Sequence, residues 1–407
     1  FLIAVWGCAA MKTYDVIVIG GGLAGFMAAA VAASHKQKVA VITYGSGSLP
    51  LASGAIDFGS IENLPAHHPY KKIGLKAIDS AIKFFCDVAA QANLPYNGRL
   101  SAQIPVVTAV GTLKYSCLVP ESMDASKLLG KKKIFVASIK GLKDFYAPML
   151  ADNLKKYFPN KTFEVAKLDL KLLGGRDITC MDAAQLLTDN EQSLANELKA
   201  LNATADDAII IPPILGIMGN FSRSVITTQL RAEIIETTCL PPSPPGIRLQ
   251  RAFIKYLQRN GVKFFENSKV VRGVVEGKTV KGVVVENVVR EKVFPAKKII
   301  LATGGFYSGG LTMREFDNPK EPIFDLPIYF PTGAENWSNQ QLFSDKPQGF
   351  STTGILTNEN LNPVDANGKV LFDNLHVVGA NLGGCDKIFE RSAGGIAISS
   401  AYKAATI

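Results

Sequence analysis

Three glycines near the start of the chain have the spacing of a loop that binds a phosphate group, Gly20-x-Gly22-x-x-Gly25. Each glycine has a separate role in such a loop. Gly20 would permit a tight turn, Gly22 would let the backbone approach a phosphate, and Gly25 would let a helix pack closely on a sheet. The free N–H groups and the positive dipole end of that helix would hold the negative charge. The predicted chemistry is therefore the binding of a phosphate-containing cofactor.

The segments around these glycines predict a strand–turn–helix–strand unit of the Rossmann type. An apolar stretch over residues 14–19 predicts a strand that runs directly into the loop. An alanine-rich helix is expected to extend to about Ser34, and a second strand to cover residues 38–43. The glycine motif alone is weak, but its place between a predicted strand and a predicted helix makes it specific. A glycine turn without a ligand is the alternative interpretation.

One position departs from the dinucleotide-binding pattern. The second strand of such a unit usually ends with Asp or Glu, which binds the adenosine ribose. Here that place falls on Thr43. The ribose contact is therefore missing or replaced, which argues against NAD and leaves open whether the ligand carries an adenosine.

Two later strands that end in glycine clusters are expected to join the same sheet. An apolar strand from Lys298 ends in the small residues 302–305, and a second strand ends at Gly379, followed by glycine pairs at 383–384 and 394–395. Small residues let the backbone come close to a ligand. Each cluster alone predicts a turn, but their order resembles that of two-domain flavoproteins. The residues predicted to bind the cofactor are Gly20, Gly22, Leu23, Ala24, Gly25, Thr43, Ser53, Gly54, Ala302, Thr303, Gly304, Gly379, Gly383, Gly384, Gly394 and Gly395.

Composition narrows the class of protein. A chain of 407 residues with 47% hydrophobic and 19% charged residues predicts two or three folded units rather than disorder. The net charge of +9 comes from scattered lysines without a dense basic arm, so we expect no nucleic-acid partner. The six cysteines form no C-x-x-C pair and the four histidines show no metal-ligand spacing, so we predict no metal site. This cysteine usage fits a reducing cytoplasm.

The order of the segments predicts an α/β fold of the Rossmann-type two-domain flavoprotein class. A discontinuous flavin-binding domain is expected over residues 11–55, 245–305 and 350–407, and it includes a small β-meander. An inserted cap or substrate domain is expected over 56–244 and 306–349.

Two short segments have interpretations of their own. Residues 1–10 lack a basic region before their apolar stretch and are too short to span a bilayer, so we interpret them as a non-native or upstream extension. The proline-rich run at 241–246 is expected to exclude helix and central strand and to form a stiff crossing between domains.

Over most of residues 11–407, the sequence resembles the B subunits of anaerobic glycerol-3-phosphate dehydrogenases. The Pro-Pro-Ser-x-Pro-Gly-x-Arg-Leu stretch is the most discriminating part, because generic flavoproteins need no such sequence. The stretches that carry the resemblance are 20–25, 53–57, 141–145, 241–249, 301–306 and 379–384.

The resemblance implies a flavin subunit that works beside a catalytic FAD subunit and an iron–sulfur subunit that anchors the complex to the membrane. It implies oxidation of glycerol 3-phosphate to dihydroxyacetone phosphate, with electrons passed to quinone, and a cytoplasmic location at the inner face of the membrane. It also implies a noncovalent FMN, whereas the glycine loop normally serves a dinucleotide and keeps FAD open. Ala380 stands where many related flavoproteins have Asp to bind the ribityl chain.

Few residues are candidates for catalysis. Arg248 could contact a phosphate or the flavin ring edge, although a helix-surface arginine is the alternative, and Arg391 could face an anionic substrate or the flavin. His376 lies in an apolar strand pattern and is interpreted as a core histidine, so no general base is assigned. Two other functions stay open: a structural subunit with a degenerate flavin site, and a stand-alone FAD-dependent dehydrogenase or reductase.

Overall fold

The computed structural model describes residues 13–219, 221–286, 290–314, 317–341 and 344–407. The described chain forms two compact units. The first unit comprises the described residues of Phe1–Gly47, Phe58–Phe85 and Leu257–Ile407, and the second unit comprises Ser48–Asp57 and Cys86–Tyr256. The predicted extension at residues 1–10 lies outside the described residues.

The strands and helices are numbered in chain order. The strands of the described chain are β1 Tyr14–Ile19, β2 Val39–Ile42, β3 Tyr96–Gly98, β4 Ile104–Val107, β5 Leu113–Ser116, β6 Leu118–Pro120, β7 Lys133–Ile139, β8 Thr162–Leu168, β9 Asp207–Ile211, β10 Glu233–Glu236, β11 Lys263–Phe265, β12 Lys269–Glu276, β13 Thr279–Glu286, β14 Glu291–Leu301, β15 Ile328–Tyr329, β16 Gly354–Ile355 and β17 Leu375–Val377. Its α-helices are α1 Leu23–Ser34, α2 Pro69–Ile73, α3 Leu75–Gln91, α4 Ala147–Lys155, α5 Cys180–Leu187, α6 Glu191–Lys199, α7 Phe221–Thr227, α8 Pro244–Arg259 and α9 Ala393–Thr406.

The first unit is built on a parallel sheet in the order β11-β2-β1-β14, with β17 on the far side of β14. Its central strands are buried aliphatic runs, as expected for a sheet covered on both faces. Helix α1 is almost fully buried and packs against α9. The carboxyl ends of β1, β14 and β17 therefore lie side by side, which is where open α/β sheets bind ligands.

Strand β14 takes part in two kinds of pairing. Its first half pairs antiparallel with β13, for example Val284 with Val293, and completes the predicted β-meander with β12. Its second half pairs parallel with β1, for example Val18 with Ile300. One continuous strand thus joins the meander to the parallel sheet.

The second unit contains its own parallel sheet, in the order β10-β9-β7-β8. Strands β7 and β9 are its buried centre, and helices α4, α5 and α6 contribute apolar residues to the same core. The order in which these strands lie across the sheet matches that of the doubly wound flavodoxin type. Two short antiparallel ribbons, β3–β6 and β4–β5, accompany this sheet.

The boundaries differ from the predicted ones in four places. Residues 58–85, predicted in the cap, belong to the first unit, and residues 48–55, predicted in the flavin-binding domain, belong to the second unit. Residues 306–349 belong to the first unit, in which β15 pairs with β16, whereas residues 245–256 belong to the second unit. Helix α8 begins at Pro244, inside the proline run that the sequence pattern predicts to exclude helix. Proline is tolerated in the first turn because the N–H groups there have no intrahelical partner.

Candidate functional site

The glycine loop after β1 has the geometry of a close turn against the neighbouring strand. Gly20 has φ +120°, and a Cβ atom at this position would lie 2.2 Å from the carbonyl oxygen of Ala302. A Cβ atom at Gly25 would lie 2.0 Å from the carbonyl oxygen of Gly20, so the helix can approach the strand only with glycine here. These contacts agree with the roles expected of Gly20 and Gly25.

Gly22 is different because its missing side chain would face open space. It has φ −91° and no atom within 4 Å of where a Cβ would lie. Gly22 is the N-cap of α1, and among the described residues no side chain caps the helix and no acidic residue lies in its first turn. The first N–H groups of α1, including those of Leu23 and Ala24, have no intrahelical acceptor. The loop therefore offers both the room and the donors that a phosphate needs.

The turn after β14 adjoins this loop. Gly304 has φ +83°, a conformation that favours glycine. Its N–H donates to the side-chain Oδ1 of Asn381 at 2.7 Å, and the Nδ2 of Asn381 donates to the Oγ1 of Thr303 at 3.0 Å. Asn381 lies in the 379–384 stretch but is not among the residues predicted to bind the cofactor. The signal that could have found it is a polar residue two positions after Gly379, in the turn that follows β17.

The turn after β17 completes the cluster. Gly379 has φ +67°, and a Cβ atom there would lie 2.7 Å from the Cβ of Ala24 in α1. Its N–H donates to the Oγ of Ser400 in α9 at 3.0 Å. Ala380, which replaces the expected ribityl-binding Asp, is exposed beside this turn.

Farther along the chain, tight packing positions are filled by Gly383, Gly384 and Gly395. A Cβ atom at Gly383 would lie 2.8 Å from the Gly354 carbonyl, and one at Gly384 would lie 3.0 Å from the ring of His67. Gly394 and Gly395 lie in the first turn of α9, where a Cβ atom at Gly395 would lie 2.3 Å from the hydroxyl of Tyr70.

Ser53 and Gly54 belong to the second unit, unlike the rest of the predicted set. Gly54 has φ +86° and packs against Pro245, and its carbonyl accepts a hydrogen bond from the hydroxyl of Tyr96 at 2.7 Å. The proline-rich stretch therefore secures the 48–57 segment within its own unit.

Thr43 follows β2 at the place of the missing ribose-binding acid. Its hydroxyl donates to the carbonyl oxygen of Gly45 at 2.5 Å, and its N–H donates to the carbonyl of Phe265 at 2.9 Å. A Cβ atom at Gly21 would lie 3.0 Å from the Thr43 Oγ1, so Thr43 adjoins the glycine loop.

The two arginine candidates have different surroundings. Arg248 is buried, with 2% exposure, and its guanidinium forms a bidentate ion pair with Glu236 at 2.5 and 2.6 Å. Its Nε donates to the carbonyl of Gly216 at 2.7 Å. The surface location considered for Arg248 is therefore wrong. Arg391 belongs to the first unit, is exposed and has φ +55°.

His376 is a core residue, as interpreted from its apolar strand. Its Nδ1 lies 2.9 Å from the carbonyl oxygen of Asn360 and donates to it. Burial disfavours the charged imidazolium and lowers the pKa of His376 to about 4. The ring is therefore neutral at physiological pH.

One side-chain cluster was not foreseen from the sequence. His68, Cys385 and Glu390 bring three atoms of metal-ligating type within 4.8 Å of one another. However, the Nδ1 of His68 accepts the N–H of Tyr70 at 3.1 Å, so its Nε2 carries the proton and donates to Glu390 at 3.0 Å. A metal bound to Nε2 would leave the ring proton on Nδ1. Two hydrogen-bond donors, this Nδ1–H and the N–H of Tyr70, would then face each other. The geometry thus favours a hydrogen-bonded pair rather than a ligand set.

Comparisons with known proteins identify the family of this chain. The sequence matches the FAD-binding domain family over residues 15–63 and 59–396. The B subunit of anaerobic glycerol-3-phosphate dehydrogenase from Vibrio cholerae is 30% identical over 97% of this chain and 96% of that protein. The chain belongs to this family of B subunits, within the FAD-binding domain family. Its cofactor class is therefore a flavin, and the predicted Rossmann-type flavoprotein fold is confirmed.

Two further matches are less similar in sequence. The corresponding B subunit of Actinobacillus pleuropneumoniae serotype 5b is 27% identical over 96% of this chain and 98% of that protein. The crystal structure of the 3-ketosteroid delta1-dehydrogenase from Sterolibacterium denitrificans, in complex with 1,4-androstadiene-3,17-dione, has a TM-score of 0.43 and 12% identity, and the match covers 97% of this chain and 99% of that chain. Among the described residues of the present chain, no helix has both the length and the hydropathy needed to cross a bilayer.

Proposed function

We propose that this chain is the flavin-binding subunit of an anaerobic glycerol-3-phosphate dehydrogenase complex. The complex would oxidise glycerol 3-phosphate to dihydroxyacetone phosphate and pass the electrons towards quinone. The observation that carries the proposal is the uncapped N-terminus of α1, where Gly22 leaves open space beside the turns that end β14 and β17. The names of the relatives support glycerol 3-phosphate as the substrate.

The same loop favours FAD over FMN as the bound flavin. The family is one of FAD-binding domains, and a Gly20–Gly25 loop at a helix N-terminus suits the pyrophosphate of a dinucleotide. The N–H groups of residues 22–25 would hold the phosphates, while Ala302, Thr303, Gly304 and Gly379 would let the backbone approach the rest of the cofactor. When bound, the flavin supplies the hydride and electron transfer.

The chain would work with two partner subunits. One is a catalytic FAD subunit, and the other is an iron–sulfur subunit that anchors the complex at the inner face of the cell membrane. Iron–sulfur clusters in a partner would carry electrons from a flavin in this subunit to a quinone in the membrane, and no metal-binding cysteine pattern is present in this sequence.

A structural subunit with a degenerate flavin site is the second candidate. Thr43 and the exposed Ala380 replace two acids that usually bind the cofactor, and both changes favour weak binding. A stand-alone FAD-dependent dehydrogenase is the third candidate. It predicts turnover of substrate without partners.

The decisive experiment is cofactor analysis of the purified chain. We expect a flavin absorption spectrum, and we expect acid precipitation to release the flavin because binding is noncovalent. Chromatography and mass measurement of the released compound would then identify FAD or FMN. Protein that stays colourless after incubation with both flavins would support the structural role, and flavin that stays bound to the precipitate would refute noncovalent binding.

A further inference from the structure

The Asn381 side chain connects two turns of the candidate site. Strands β14 and β17 are parallel neighbours, with Leu301 opposite Val377, so the turns that follow them lie together. Asn381 lies in the second turn and is 0% exposed. Its amide contacts both Thr303 and Gly304 in the first turn.

The orientation of this amide follows from its partners. The backbone N–H of Gly304 can only donate, so the atom that faces it at 2.7 Å must be the oxygen of the amide. The amide nitrogen consequently donates to the Thr303 hydroxyl at 3.0 Å. Because the Thr303 oxygen accepts this bond, the hydroxyl hydrogen stays available to donate to an acceptor outside the turn.

We infer that Asn381 is a positioning residue for flavin binding. Its amide holds Gly304 in the left-handed conformation and keeps the Thr303 hydroxyl as a donor directed to the cofactor. The inference rests on the proposed flavin binding. It adds a residue that the set predicted to bind the cofactor does not include.

The test compares Asn381→Leu with a matched control, Asn362→Leu. Asn362 is also buried in the first unit, at 5% exposure, and its Nδ2 donates to the carbonyls of Phe372, Asp373 and Leu375. Both substitutions remove a buried amide, so both should lower the thermal midpoint of the apo-protein. Only Asn381→Leu should weaken flavin binding, by about tenfold or more, because the turn would no longer hold the Thr303 hydroxyl as a donor toward the cofactor.

Two measurements separate positioning from general destabilisation. Titration of apo-protein with FAD and with FMN gives the dissociation constants, and amide hydrogen exchange reports the 302–306 segment without flavin. We expect faster exchange there in Asn381→Leu but not in Asn362→Leu. Wild-type affinity in a folded Asn381→Leu would overturn the inference alone, whereas a wild-type protein that binds neither flavin would refute the proposed function and the inference with it.

A second variant, Asn381→Asp, keeps the test decisive if the leucine variant does not fold. The carboxylate still accepts the N–H of Gly304, so exchange in the turn should stay near the wild-type rate. It can no longer donate to Thr303, whose hydroxyl would instead donate to the carboxylate. We expect weaker flavin binding in a protein with a wild-type fold, and unchanged binding would overturn the inference.

Discussion

The guanidinium of Arg248 and the carboxylate of Glu236 form a buried bidentate ion pair that joins helix α8 to the end of strand β10. The two N···O distances are 2.5 and 2.6 Å, and Glu236 is 0% exposed. Glu236 also accepts the N–H of Leu215 at 3.0 Å, so it connects the loop after β9 as well. Arg248, which follows the proline-rich run, thus links α8, β10 and the loop after β9 within the second unit.

Removal of one partner of this pair is expected to destabilise the protein. Arg248→Met leaves the Glu236 carboxylate buried without a cation, which should cost about 3–5 kcal/mol of unfolding free energy. The exposed Arg251 on the same helix supplies the control, because Arg251→Met should change stability by about 0.5 kcal/mol or less. Denaturant unfolding measures both, and equal stability of the two variants would contradict a structural role for the pair.

Gly22→Val is expected to abolish flavin binding in a folded protein. The native φ of −91° suits any residue, and the new side chain would extend into the open space where we place the phosphate. Gly130→Val is the control, because Gly130 is an exposed glycine of the second unit that also has no atom within 4 Å of its missing Cβ. Flavin occupancy and the thermal midpoint should be measured for both, and full occupancy in Gly22→Val would mean that the loop is only a turn.

We expect the burial of His376 to lower the free energy of unfolding in mild acid. Its pKa is lowered from 6.5 to about 4 by burial, so between these values the unfolded state binds a proton that the folded state does not. Stability therefore decreases as the pH drops from about 6.5 towards 4, by roughly 3 kcal/mol in total.

The His376→Gln variant isolates this contribution. Glutamine can still donate to the Asn360 carbonyl but does not titrate. Denaturant unfolding of both proteins at pH 7 and pH 5 should show a smaller loss of stability in the variant. The same loss in both would assign the acid sensitivity to other groups.

Activity with glycerol 3-phosphate and a quinone analogue is expected to need the partner subunits. The isolated chain should show little turnover, because its sequence has no cysteine pattern for a cluster that would carry single electrons to quinone. The assay compares the isolated chain with the chain after addition of the catalytic FAD subunit and the iron–sulfur subunit. Full turnover by the isolated chain would favour the stand-alone dehydrogenase.

The local sequence was sufficient to predict the glycine loop. The spacing of Gly20, Gly22 and Gly25 between an apolar run and an alanine-rich run correctly predicted β1, the turn and α1. These features depend on neighbouring residues, because a positive φ and a close helix–strand approach both require glycine at fixed positions. The return of β14 to the sheet was predictable for the same reason, since its buried aliphatic end leads directly into small residues.

Tertiary structure decided the contacts between residues that are distant in sequence. The amide of Asn381 meets Thr303 because β14 and β17 are neighbours, and Arg248 is buried because Glu236 ends a strand beside its helix. The polar residue two positions after Gly379 and the arginine after a proline run carry no local signal that names these partners. Side-chain pairing across a sheet depends on strand order and register, which many separate segments determine together. The sequence therefore determined where a phosphate could bind, and the fold determined which side chains support that place.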